Sequence, residues 1–75
     1  MKVKFSRHAK RRAKLYELQE SSLERILADL VLSEGEHEII EPIAGYTYPI
    51  KMVVSVEHEI ITVITNYPLK KGRDR

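Results

Sequence analysis

The chain has no cysteine and no tryptophan, one phenylalanine, three glycines and three prolines in 75 residues. Without cysteine there is no disulfide and no thiolate metal site, so the small core must hold by packing alone. No apolar run approaches the roughly 20 residues that span a membrane. The basic residues at the N-terminus are not followed by a hydrophobic stretch, so a cytoplasmic protein with no membrane partner is expected. Side-chain amides are confined to Gln19 and Asn66, whereas Glu, Lys, Arg and Ile are plentiful, a balance seen in proteins of thermophiles. The glycines at 35, 45 and 72 are too scattered for a phosphate-cradling loop or a dinucleotide fingerprint, and no serine-nucleophile motif is present. His37 and His58 have no partners at metal-ligand spacing, and Glu36, Glu38 and Glu41 read as a solvated strand face. Neither a metal nor a cofactor is expected.

What the chain does have is charge sorted into blocks. Met1 to Lys14 holds seven basic residues and no acid, Leu15 to Asn66 holds ten acids against Arg25 and Lys51, and Tyr67 to Arg75 holds four basic residues against Asp74. Two basic ends therefore flank an acidic body, a pattern that the net charge of +2 conceals.

Lys2 to Phe5 alternates basic and apolar residues and predicts a short strand. Ser6 suits a helix N-cap, and Ala9, Ala13 and Tyr16 recur at helical spacing, predicting a helix from Arg7 to about Leu18. Ser21 and Glu24 have the spacing of a capping box, followed by an apolar stripe of Leu23, Ile26, Leu27, Leu30 and Val31 for a second helix. Three extended segments follow, His37 to Pro42, Tyr46 to Val56 and Ile60 to Tyr67. The last two are joined as a hairpin at Glu57 to Glu59 despite the lack of Gly or Asn there. The order predicts an α+β fold, β-α-α-β-β-β, with two helices on one face of a mostly antiparallel four-stranded sheet. Residues 1–69 form a single domain in this reading, and 70–75 a basic tail.

Arg7, Lys10, Arg11 and Lys14 lie three and four apart and share one face of the first helix, with Arg12 at its boundary. Several cations on one helical face form the footprint of a polyanion binder, and no acid interrupts the basic residues over fourteen positions. His8, just after the N-cap, is a candidate acid or base by residue type, or else a surface residue of the first turn. Tyr67, followed by Lys70 and Lys71, combines an aromatic ring with cations, as suits an RNA strand. If the first strand runs parallel beside the last, the two basic ends meet at one end of the sheet.

The segments Ser6-Arg7-His8-Ala9-Lys10-Arg11-Arg12 and Val63-Ile64-Thr65-Asn66-Tyr67-Pro68 resemble a family of small uncharacterised prokaryotic proteins. Its members open with Ser-Lys/Arg-His-Ala and close with Thr-x-Tyr-Pro. That family in turn resembles the RelE/ParE toxin superfamily, and the resemblance covers nearly the whole chain. It implies the toxin of a type II toxin-antitoxin system, an endoribonuclease that cuts ribosome-bound mRNA without a metal and is neutralised by an acidic antitoxin. By that resemblance His8 would be the acid or base, Arg11 and Arg12 would stabilise the phosphate, and Tyr67 would stack or share the proton transfer. Arg7, Lys10, Lys14, Lys70 and Lys71 would hold the RNA. The chain departs from the well-studied members in being shorter, in lacking a further C-terminal helix and in having no arginine in its last two strands. A non-catalytic module that binds RNA or a protein partner through the same surface is the alternative.

Overall fold

A computed structural model describes residues 2–69, in the order β1 (Lys2–Phe5), α1 (Arg7–Leu15), α2 (Glu20–Ala28), β2 (Gly35–Glu41), β3 (Ile50–Glu57) and β4 (Ile60–Pro68). This is the expected α+β order. The sheet runs β1-β4-β3-β2, with β1 parallel to β4 and the other neighbours antiparallel. The first and last strands are therefore side by side, Phe5 opposite Val63.

Helix α1 stops at Leu15, short of the expected Leu18, because the chain leaves it through a Schellman turn. Glu17 takes φ 57°, its amide donates to Lys14 O (3.2 Å), and the amide of Leu18 reaches back to Ala13 O (2.7 Å). The turn drops Leu18 into the core, which explains its apolar character outside the helix. Helix α2 starts a residue before the anticipated cap. Gln19 is its N-cap and makes no side-chain bond, so Ser21 lies within the first turn and the capping box does not form. Leu23 and Leu27 are fully buried, whereas Val31 lies beyond the helix end and is 97% exposed.

Strand β2 begins at Gly35, two residues before the expected His37, with the glycine at φ +115°, where an L-residue would be strained. Strand β3 begins at Ile50 rather than Tyr46. The preceding residues form a turn in which Tyr46 N donates to Ile43 O (3.1 Å), and Pro49, which has no amide, accepts from Leu69 N (2.9 Å).

The β3–β4 hairpin closes on a two-residue loop, His58 and Glu59, between the paired Glu57 and Ile60. Both loop residues have positive φ, 53° and 64°, the type I′ geometry that matches strand twist but suits Asn-Gly far better. Replacing the pair by Asn-Gly, His58→Asn with Glu59→Gly, is expected to stabilise the fold by about 1–2 kcal/mol, read as a higher urea midpoint at unchanged slope. The amide of residue 58, which donates to Glu34 Oε2 (2.8 Å), would be retained.

The core lies on one side of the sheet. Ile50, Met52, Val54 and Val56 of β3 and Ile61 and Val63 of β4 pack with Ala9 and Ala13 of α1, Leu18, and Leu23 and Leu27 of α2. The small alanines let α1 approach β4 closely, which sets the geometry of the site.

Candidate nucleic-acid interface

The position of α1 depends on an irregularity in β4. Val53 pairs with Thr65 and Val54 with Val63, so Ile64 is an extra residue, a β-bulge. Ser6 docks on it: its amide donates to Val63 O (3.0 Å) and its hydroxyl to Ile64 O (2.9 Å). The same hydroxyl accepts from Ala9 N (3.0 Å), which is the expected N-cap bond. Past the bulge, Asn66 turns inward, is fully buried, and donates from Nδ2 to Ala9 O (3.1 Å). Its Oδ1 has no partner among the described residues. Three hydrogen bonds thus clamp the first turn of α1 to β4, and the N-cap bond closes the turn itself.

From this clamp Arg7, His8, Lys10, Arg11 and Lys14 all project as exposed side chains. No acid occupies the first turn. Cations at a helix N-terminus oppose the helix dipole at about 0.3–1 kcal/mol each, so helix stability does not account for Arg7 and Lys10. Arg12 behaves differently from its neighbours. It is half-buried, its Nη1 donates to Tyr16 Oη (3.2 Å), and its guanidinium lies 5.9 Å from the centroid of the Tyr16 ring. Its Nε is buried without a partner among the described residues.

Tyr67 is not brought to this face. Successive strand residues alternate sides, and Asn66, paired with Met52, points to the helices, so Tyr67, paired with Lys51, points to the other face. The bulge decides this, because one extra residue inverts every later side chain. His8, just beyond β1, and Tyr67, the penultimate residue of β4, therefore lie at the same end of the sheet but on opposite faces. On its own face Tyr67 joins Lys51, whose ammonium pairs with Glu38 (3.3 Å). Hydrogen bonding to Glu38 holds the Lys51 pKa above its ordinary value of 10.5; desolvation opposes it, and the charge of Glu38 and the neighbouring Tyr67 add smaller upward effects. A raised lysine pKa means that the stabilisation linked to the Lys51 ammonium is present at neutral pH and is lost as pH rises through the alkaline range. Lys70 and Lys71 lie outside the described residues.

A groove of about 410 Å³ between α2 and β1 is lined by Val3, Ser21, Glu24, Arg25 and Ala28 and contains none of the candidate residues. Among the described residues, no helix is long and apolar enough to cross a membrane. No protein-family model matches the chain, and comparison with curated proteins and with solved structures finds no match.

Sequence reasoning missed Asn66 as the anchor of the site. It noted the residue as a scarce amide and as the variable position of the Thr-x-Tyr-Pro ending, although a lone Asn in a β-branched strand is itself a signal of a specific hydrogen bond. Lys51, the one base within the last two extended segments, was likewise not connected with Tyr67.

Proposed function

We propose that this protein binds the phosphate backbone of single-stranded RNA through the exposed face of α1. The observation that carries the reading is the clamped helix start with Arg7, Lys10, Arg11 and Lys14 on one accessible face. Cations on a helix already held against the sheet neutralise phosphates without first losing backbone freedom. The amides of Arg7 and His8 have no intrahelical partner and add donors for a phosphate oxygen. The test is binding of a short single-stranded RNA to the purified protein over a range of salt. Micromolar or tighter binding that weakens steeply with salt supports the reading, and salt-insensitive or absent binding sinks it.

A second reading, a toxin-like endoribonuclease of a type II toxin-antitoxin system, is favoured by the exposure of His8 beside Arg11 and by the resemblance described above. In it His8 exchanges a proton at the ribose 2′-hydroxyl or the leaving oxygen, and Arg11 stabilises the crowded phosphate, with no metal or cofactor. Arg12, folded onto Tyr16, would position α1, and Tyr67 would take no part in the step. A cytoplasmic location and an acidic antitoxin as partner go with this reading. Expression that slows growth and cleaves ribosome-bound message, both abolished by His8→Ala with RNA affinity kept within about threefold, is the expected result. Intact message and unchanged growth would leave the binding reading alone.

A further inference from the structure

Among the described residues, one face of the sheet carries no helix. It presents Lys2 and Lys4 on β1 at one edge and Glu36 and Glu38 on β2 at the other. Lys4 pairs with Thr62, Thr62 with Ser55 and Ser55 with Glu36, so Lys4 and Glu36 end the same cross-strand row. Both are exposed. The row between them is short and flat, Thr62 and Ser55, and the next row adds Thr65 and Val53. Among the described residues the ion pair on this face is Lys51 with Glu38, which leaves the Lys4 to Glu36 row with a basic end and an acidic end.

We infer that this uncovered face binds a second copy of the same chain about a two-fold axis running along the strands. Such an axis preserves strand direction and reverses strand order, so β1 of one copy lies over β2 of the other. Lys4 then stands over the partner's Glu36, and the symmetry repeats the contact. Face-to-face sheets pack with their strands nearly aligned, as this arrangement requires. The perpendicular two-fold in the same plane would stack β1 on β1 and bring lysines together, so charge selects between the two.

Four strands at ~4.8 Å spacing and four outward rows at ~6.7 Å give a face on the order of 500 Å². That is at the low end for specific interfaces, as suits a weak, reversible dimer. Both α1 helices lie on the outer surfaces of such a dimer, and self-association does not compete with the polyanion site. The inference is thus independent of the proposed function.

Sedimentation equilibrium of the purified protein from micromolar to millimolar concentration tests it. The average mass is expected to rise from 8.7 kDa towards twice that value. Lys4→Glu and Glu36→Lys each turn two attractive contacts into repulsive ones and should weaken association at least about tenfold, and the double swap should restore it to within about threefold. Both sites are exposed, and circular dichroism checks that each variant folds. Arg7→Ala with Arg11→Ala should leave association unchanged. A monomer at every concentration would overturn the inference, as would a dimer indifferent to the single reversals or not restored by the swap.

Discussion

Asn66→Asp should be among the most damaging single substitutions in the chain at neutral pH, lowering stability by about 3 kcal/mol or more. Asn66 is fully buried and donates to Ala9 O. A carboxylate there has no hydrogen to donate and faces the carbonyl with a desolvated charge. Burial raises the folded-state pKa of the new acid above its unfolded value of about 3.9, so the penalty should grow as pH rises above that value. Below it the acid is neutral in both states, its hydroxyl can donate to Ala9 O, and most of the loss should be recovered. Asn66→Leu should behave quite differently. Leu is close in size, Ala9 O keeps its helical partner, and the unpaired Oδ1 disappears, so a change within about 1 kcal/mol is expected. Chemical denaturation of both variants between pH 3.5 and 8 checks the order. Similar losses for Asp and Leu, without pH dependence, would mean that the amide is not the anchor of α1.

Neutralising the exposed face of α1 should abolish binding and leave the fold intact. If Arg7, Lys10, Arg11 and Lys14 each neutralise one phosphate of single-stranded RNA, log affinity should fall against log salt with a slope of about −2.8. That slope is roughly a 50-fold loss of affinity between 50 and 200 mM salt. Arg7→Ala with Arg11→Ala should halve the slope, and replacing all four residues by Ala should bring it near zero. Of these substitutions, those at Arg7 and Lys10 remove cations that the helix start repels, whereas Lys14→Ala removes one that the last turn favours; the dipole effects largely offset, and alanine is the best helix former, so stability should hold within about 1 kcal/mol. A binding loss accompanied by a lower unfolding midpoint would point to damage to the fold instead. Fluorescence anisotropy and thermal melts on the same samples separate the two outcomes.

Much of the architecture was legible because it is local. The alternation in Lys2 to Phe5, the Ser6 cap with its alanine stripe and the β-branched run after Ile60 each follow from one short stretch of chain, with period 2 or 3.6. Boundaries were less legible, for physical reasons that can be named. Val31 continues the apolar stripe of α2 in sequence, yet the helix ends at Ala28 and Val31 faces solvent, so the pattern overran the element. Ser21 and Glu24 have capping-box spacing, but Gln19 is the N-cap and the helix starts at Glu20, because a cap motif competes with the packing that sets where a helix begins. Glu17 in a left-handed turn and the His58–Glu59 hairpin loop use residues that propensity would not choose there.

The candidate site divides along the same line. By itself the sequence determined that α1 is a helix with its cations on one face and alanines on the other, since both depend only on spacing within nine residues. Tertiary structure alone decided which residues could meet that face. The bulge at Ile64 shifts β4 by one position, and in a strand one position exchanges the two faces. It sends Asn66 to the clamp beneath α1 and Tyr67 to the opposite surface with Lys51. The bulge is set by pairing with β3 and by the docking of Ser6, 58 residues earlier in the chain. No local pattern in β4 encodes it, which is why the basic helix could be read from the sequence and its partner could not.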